Sequence, residues 1–413
     1  MKTVVFLGDG MADRPVAELD GMTPLEKART PHMDMLAQNG LFGLARTVPE
    51  GMPPGSDTAN LSVFGYDPRK WYTGRSPLEA VSMGIDLSDT DVTYRCNFVT
   101  LSRAESIEDA VMDDYSAGEV STQEAAELVD FLNVRFHTAR THLFAGISYR
   151  HCFVHYDAET GAILTPPHDI SHRPVRDFLP QGQYAGLLRA MMEYSYEVLG
   201  DHPVNRRREA EGKSPANAVW LWGEGRKPSL PSFQELYGLR GAVISAVDLV
   251  QGIGLCAGLR TIKVPGATGN YHTDFAAKGA AAVEALRQGD DFVYIHVEAP
   301  DECGHRREVN EKVYAIEQID EKIVGPVLEY LSGCGEEYAV LLMPDHPTPL
   351  DLMTHTADPV PFALYRAGDC GLTPRRFTEQ QAAETGVFVP EAHVLMERLI
   401  KGEPHGIESR EAR

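Results

Sequence analysis

Short runs of consecutive apolar residues mark the two ends of the chain: Thr3–Leu7 (TVVFL), Phe292–Val297 (FVYIHV), Tyr338–Met343 (YAVLLM) and Val360–Tyr365 (VPFALY). Each is followed within three residues by Gly, Asp or Pro. Continuous rather than alternating hydrophobicity predicts strands covered on both faces, as in a parallel sheet. Helical signals fall around and between these runs. Thr23-Pro24-Leu25-Glu26 is a capping box with proline at the first helical position. Thr30-Pro31 opens a second helix that Gly40 is placed to close. Across Asn310–Leu331 the apolar residues Val313, Ile316, Ile323, Val327 and Leu331 fall near one face, which predicts a helix. Strand and helix alternate, the pattern of a layered α/β domain.

The middle of the chain reads differently. From Asp86 to Leu239 the strand runs are weaker and more alternating, as in Tyr149–Tyr156. Two helices stand out: one opened by the capping box Ser121-Thr122-Gln123-Glu124 and running toward Phe136, and an amphipathic stretch over Gln183–Leu199. Both borders are rich in Gly, Pro, Ser and Asp. The expectation is a discontinuous α/β domain, residues 1–85 and 240–413, interrupted by a smaller α+β insert at 86–239.

Composition narrows the classes. With 43% hydrophobic and 24% charged residues, 413 residues bury a sizeable core. The net charge of −22 offers no basic face for neutralising nucleic-acid phosphates. A small phosphorylated substrate stays compatible, because bound metal ions reverse the local sign. Six cysteines without a close pair or CxxC fit a reducing cytoplasm. No stretch reaches the length of a membrane span, and the opening MKTVVFLGDG is too short for a signal-peptide core.

Candidate chemistry gathers just past the predicted strands. Asp9 follows the first, Asp301 and His305 follow the Phe292 run in APDECGH, Asp345 and His346 follow the Tyr338 run in MPDHPTP, and His355 comes shortly after. In open parallel sheets such positions converge at the carboxyl ends of the strands. Converging carboxylates repel one another in a low-dielectric cleft and call for a cation. A mixed Asp/His set without thiolate suits Mn²⁺, Zn²⁺ or Mg²⁺, and Asp301-x-x-x-His305 can clamp one ion. In Pro53-Pro54-Gly55-Ser56-Asp57-Thr58, Ser56 stands where a helix can begin. It reads either as a cap or as a nucleophile whose alkoxide a metal ion stabilises.

The segments FLGDGMAD, TPHMDMLAQNG, PPGSDTANLSVFGYDP, APDECGH and MPDHPTP…THT together resemble the alkaline-phosphatase superfamily and, within it, the archaeal-type 2,3-bisphosphoglycerate-independent phosphoglycerate mutases. The likeness runs from the first strand to about residue 400 and includes TPPHD and HPVNRRREAEGKSPAN. It implies a phosphatase-like domain with a mostly parallel sheet and an inserted substrate-holding domain. It also implies two divalent ions, one held by Asp301, His305 and His355 and the other by Asp9, Ser56, Asp345 and His346, with Ser56 as the phosphorylated nucleophile. The reaction implied moves a phosphoryl group between the 3- and 2-positions of glycerate.

A substrate carboxylate and phosphate need cationic partners. Lys278 resembles a family lysine near the phosphate, with a helix-surface lysine as the plain alternative. Arg206, Arg207 and Arg208 form the densest basic cluster of the insert and read either as a solvated run or as carboxylate ligands. His168 and Asp169 read as proton carriers or as a turn, and His151 is a weaker candidate of the same kind. One departure from the family is Leu221-Trp222-Gly223-Glu224-Gly225, where many archaeal members read LRGAG. A missing arginine leaves a homoserine kinase-like phosphotransferase or a phosphomonoesterase as the alternative reading. No Walker or kinase-type glycine loop supports an ordinary kinase.

Overall fold

The four apolar runs form the strands Lys2–Gly8, Phe292–Val297, Tyr338–Met343 and Val360–Arg366. The computed structural model describes residues 1–371, 373–402 and 408–409. The chain divides into two compact units, Met1–Tyr72 with Leu230–Arg413, and Thr73–Ser229.

The first unit is built on a nine-stranded sheet. Arg260–Ile262, Gly241–Ile244, Phe292–Val297, Lys2–Gly8 and Tyr338–Met343 run parallel in that order. The first strand lies between its two ligand-bearing neighbours, with Leu7 level with His296 on one side and Met343 on the other. Three strand ends therefore open on one edge, and the loops after them start side by side.

Both faces of this sheet are covered. Val4, Phe6, Val293, Ile295, Val340 and Leu342 join the core with Ala282, Leu286, Ile316 and Val327 from helices on one side. On the other, Phe64 stacks on Tyr294 with ring centroids 3.9 Å apart, and the helix Val394–Lys401 packs along Tyr338–Met343. This two-sided cover is why neither face of the strand sequences alternates.

Two expectations are corrected. Val360–Arg366 is antiparallel to both Tyr338–Met343 and Leu41–Ala45. The segment between it and Tyr338–Met343 contains no helix to carry a crossover, and only a crossover makes a parallel return. The helix expected across 310–331 is interrupted: Val309–Ile319 and Gly325–Gly333 are separated by a π turn at Asp320–Val324. Pro326 cannot donate to the helical ladder there. The wide turn brings Asp320 to the start of the helix Pro31–Asn39, where it accepts from the backbone N–H of Met33 at 2.7 Å and bonds the ring of His32 at 2.8 Å.

The second unit has a five-stranded antiparallel sheet in which Val92–Leu101 lies between Arg150–His155 and Ala218–Arg226. Helices Thr122–Phe136 and Ala185–Leu199 close its own core around Tyr94, Phe98, Leu128, Leu188 and Trp220. The capping box of Ser121 and Glu124 is formed as its sequence predicts. The helix Ser76–Ser82 packs on Val92–Leu101, so the chain enters this unit ahead of residue 85. The architecture is a three-layer α/β domain with a mostly parallel core and an inserted α+β unit. Among the described residues, no helix is long and apolar enough to cross a membrane.

Candidate active site

Each acidic group at the strand-end edge is delivered by a different local device. Asp9 leaves the first strand and is followed by Gly10 at φ +63°. A Cβ on Gly10 would stand 2.7 Å from the Cα of Asp301, so only glycine lets the two segments approach. Asp301 lies in the first turn of the helix Ala299–Arg306, and His305 one turn later on the same face. Asp345 and His346 occupy the loop after Tyr338–Met343 and are fully buried.

Two overlapping groups result: Asp9, Asp345 and His346, and Asp301, His346 and His355, with one ligand atom from each residue of a group within 4.8 Å of the others. Nε2 of His346 is 3.3 Å from Asp345 Oδ2 and 3.6 Å from Asp9 Oδ1. Asp9 Oδ1 is buried and has no hydrogen-bond partner among the described residues. Nε2 of His305 lies 3.2 Å from Asp301 Oδ2 and 2.9 Å from Nε2 of His355. Two imidazole nitrogens at that distance either share one proton or turn their lone pairs to a common cation.

The electrostatics follow from crowding. Burial, with Asp345 and Asp301 nearby, pushes the Asp9 carboxyl well above its ordinary range. Burial opposes charge on Asp301 too, but hydrogen bonds from His305 and His355 outweigh it and hold that carboxyl well below. Three carboxylates facing a buried space are stable together only with positive charge among them. The donor set, oxygen and imidazole without sulfur, is that of a hard or borderline divalent cation.

Ser56 is the first residue of the helix Ser56–Val63, after Gly55. Its Oγ lies 3.1 Å from Nε2 of His346. Ser56 is therefore not the cap, and its hydroxyl faces the acidic cluster from a helix N-terminus that favours negative charge. One turn on, the buried Asn60 donates to the Ser56 carbonyl and to Asp345 Oδ2, both at 2.9 Å. It also accepts from the Tyr294 hydroxyl at 2.8 Å. Asp57 accepts from the Tyr72 hydroxyl at 2.7 Å.

All seven residues expected as ligands or nucleophile thus meet in the first unit. A model of the 2,3-bisphosphoglycerate-independent phosphoglycerate mutases matches residues 37–205. A 2,3-bisphosphoglycerate-independent phosphoglycerate mutase of Methanothrix thermoacetophila is 51% identical, over 97% of this chain and 100% of its own length. The chain belongs to this family. A relative of the same name from Methanosarcina acetivorans is 48% identical over 97% of the chain and 100% of its own length. Among solved structures, the PH0037 protein of Pyrococcus horikoshii is 33% identical with a TM-score of 0.80, over 97% of this chain and 96% of its own. A cofactor-independent phosphoglycerate mutase of Thermoplasma acidophilum is 25% identical with a TM-score of 0.66, over 97% and 99%.

The other candidates of this phosphoglycerate mutase family member lie outside these two groups of side chains. Lys278 is no surface lysine. It is fully buried on the helix Phe275–Arg287, donates to the His296 carbonyl at 3.3 Å, and burial lowers its ammonium to about 8. His168 and Asp169 lie in the inserted unit on a short 3₁₀ turn, 3.7 Å apart and half exposed. Arg206 is exposed and paired with Asp201, and Arg207 is exposed beside it. Arg208 is buried, bonded to Glu124 and to the carbonyls of Ala117 and Ser214, a structural role. His151 is buried as well, accepting from Gly146 N–H through Nδ1.

Sequence reasoning missed His296, whose Nε2 lies 2.9 Å from Asp9 Oδ2 and whose Nδ1 lies 3.1 Å from the Ser245 hydroxyl. It is hidden inside the apolar run FVYIHV. It also missed Arg95, which pairs with Glu79 and lies 4.2 Å over the ring of Trp222. Arg75 shares Glu79, and Arg150 adds positive charge around it. The departure at Trp222 thus supplies a stacking surface for a guanidinium. Glu224 accepts from the backbone N–H of Gly161 and Ala162.

Proposed function

We propose that this protein interconverts 3- and 2-phosphoglycerate without added 2,3-bisphosphoglycerate, through a phosphoserine on Ser56. The observation that carries the reading is the Ser56 hydroxyl, set at a helix N-terminus against His346, in a chain 51% identical to a named mutase over 97% of its length.

Asp9, Ser56, Asp345 and His346 are the residues that would hold one divalent ion, and Asp301, His305 and His355 the other. The orphaned oxygen of Asp9 and the facing nitrogens of His305 and His355 support that fit. Mn²⁺ suits this mixed donor set, with Zn²⁺ or Mg²⁺ as alternatives. When bound, such ions lower the pKa of a coordinated hydroxyl and neutralise phosphoryl oxygens.

The residues then divide the work. Ser56 Oγ attacks the phosphorus in line as its bond to the substrate oxygen breaks. Asn60 holds the Ser56 carbonyl and Asp345 in register, so the serine does not swing away from the attack line. Glycerate turns over, its other hydroxyl attacks the phosphoserine, and Ser56 Oγ is released. The inserted unit is the substrate-holding part in this reading. Arg75, Arg95 and Arg150, clustered around Glu79, supply the positive charge for the glycerate carboxylate better than Arg206 and Arg207, which lie on an open surface. Burial, with Arg95 and Arg75 nearby, lowers the His168 imidazole and favours its neutral form. Excluding water while the phosphoserine waits separates a mutase from a phosphatase. Cysteines without disulfides support a reducing compartment such as the cytoplasm.

An enolase-coupled assay on the Mn²⁺-loaded protein tests this. Ser56→Ala is expected to abolish transfer while Mn²⁺ still binds. Substantial turnover by that variant would reduce Ser56 to a structural residue, and release of inorganic phosphate in place of 2-phosphoglycerate would make the protein a phosphatase.

A further inference from the structure

Thr348 lies two residues past His346, and its side chain is fully buried. Its single hydroxyl touches one member of each candidate cation group. Oγ1 donates to Oδ1 of Asp301 and stands 3.3 Å from Nδ1 of His346. A hydroxyl has one hydrogen, and an ionised carboxylate can only accept. The contact with His346 must therefore run the other way, Nδ1–H donating to Oγ1. That arrangement selects the tautomer whose Nε2 keeps its lone pair. Nε2 is the nitrogen that faces Ser56, Asp9 and Asp345.

The threonine is itself held from behind. Nζ of Lys312 donates to the Thr348 carbonyl at 2.8 Å and to Asp13 Oδ2 at 2.7 Å. Lys312 and Asp13 side chains are 0% and 1% exposed. Asp13 also accepts from the backbone N–H of Leu350 at 3.2 Å, and Thr348 N–H donates to the Ala12 carbonyl at 3.2 Å. Two glycines make room for this packing. A Cβ on Gly10 would lie 2.6 Å from Thr348 Oγ1, and one on Gly304 would lie 2.5 Å from the Thr348 carbonyl oxygen. A buried ion pair costs desolvation that its mutual attraction offsets only with full hydrogen bonding, so its use as a strut for one loop is a specific construction.

We propose that Thr348, braced by the Lys312–Asp13 pair, is a positioning residue that aligns Asp301 and fixes the His346 tautomer, so that both candidate cation groups depend on one hydroxyl. The inference rests on the cation-holding reading above. Groups that orient metal ligands typically change affinity by roughly 10–100-fold when removed.

The test is calorimetric titration of Mn²⁺ into the metal-stripped full-length protein. Thr348→Val, which keeps the shape and removes the hydroxyl, is expected to weaken binding by roughly 10–100-fold. Thr348→Ser, which restores the hydroxyl, is expected to return it close to the parent value. Lys312→Met is expected to weaken Mn²⁺ binding as well, and the double variant to be little weaker than Thr348→Val alone, since both act through one group. Circular dichroism of the metal-free forms reports folding, and if Lys312→Met does not fold the Val/Ser pair decides. Equal Mn²⁺ affinity in Thr348→Val and the parent overturns the proposal, as does a Ser variant as weak as Val. A parent protein that binds no Mn²⁺ overturns the cation reading itself, and this inference with it.

Discussion

Asn60 shows how much one buried amide controls. It touches the nucleophile's backbone, a candidate ligand and a tyrosine of the central strand. Asn60→Leu fills the same space but strands Asp345 Oδ2 and the Tyr294 hydroxyl without that partner. An unsatisfied buried polar group costs about 1–3 kcal/mol, so the variant is expected to lose stability of that order in urea unfolding, and to turn over more slowly. Glu379 gives a second prediction at this scale. Its carboxylate accepts from Asp13 N–H and the Thr23 hydroxyl, and burial raises it from 4.5 to about 7. Because the folded value is raised, the stability this group contributes is present below its unfolded value and is lost as pH rises through about 7. Glu379→Gln should flatten the pH dependence of the urea midpoint between pH 5 and 8. A slope equal to that of the parent would show that Glu379 stays charged throughout.

At the scale of elements, local signals were legible where the chain satisfies its own termini. The boxes at Thr23 and Ser121 form with both hydrogen bonds in place. Thr30 makes no side-chain cap, because Asp320, far away in sequence, satisfies the helix Pro31–Asn39. Ser121→Ala should therefore cost about 1 kcal/mol, while Thr30→Ala should cost distinctly less. Thermal melts of the two variants check the contrast, and equal losses would contradict it. The same tertiary contact explains why a continuous helical pattern over 310–331 conceals a π turn. Periodicity records which face is apolar but not how wide a single turn is.

For the whole molecule, each unit has its own apolar core, while all seven candidate ligand and nucleophile residues belong to the first. Metal binding should then stabilise that unit. At a free concentration 100 times Kd, mass action supplies about 2.7 kcal/mol. Calorimetric scans with Mn²⁺ and with chelator should differ in the transition of the sheet-containing unit and leave that of the insert in place. A uniform shift of all unfolding would mean that the two cores melt as one.

The strand runs, the interruption by a second unit and the row of strand-end acids, histidines and serine can be read from the chain alone. Those features are written in consecutive residues: a strand covered on both faces must be apolar throughout, and the loop after it must carry the polar chemistry. The rest emerges only when the chain folds. His296 sits inside an apolar run, Lys278 and Lys312 look like helix-surface lysines, and Arg95 resembles any strand arginine. Their roles come from neighbours that the surrounding sequence does not mark, hundreds of residues away for Lys312 with Asp13 and for His296 with Asp9. A buried polar group is defined by the partner that satisfies it, and no local pattern records a partner that only the folded sheet brings within 3 Å.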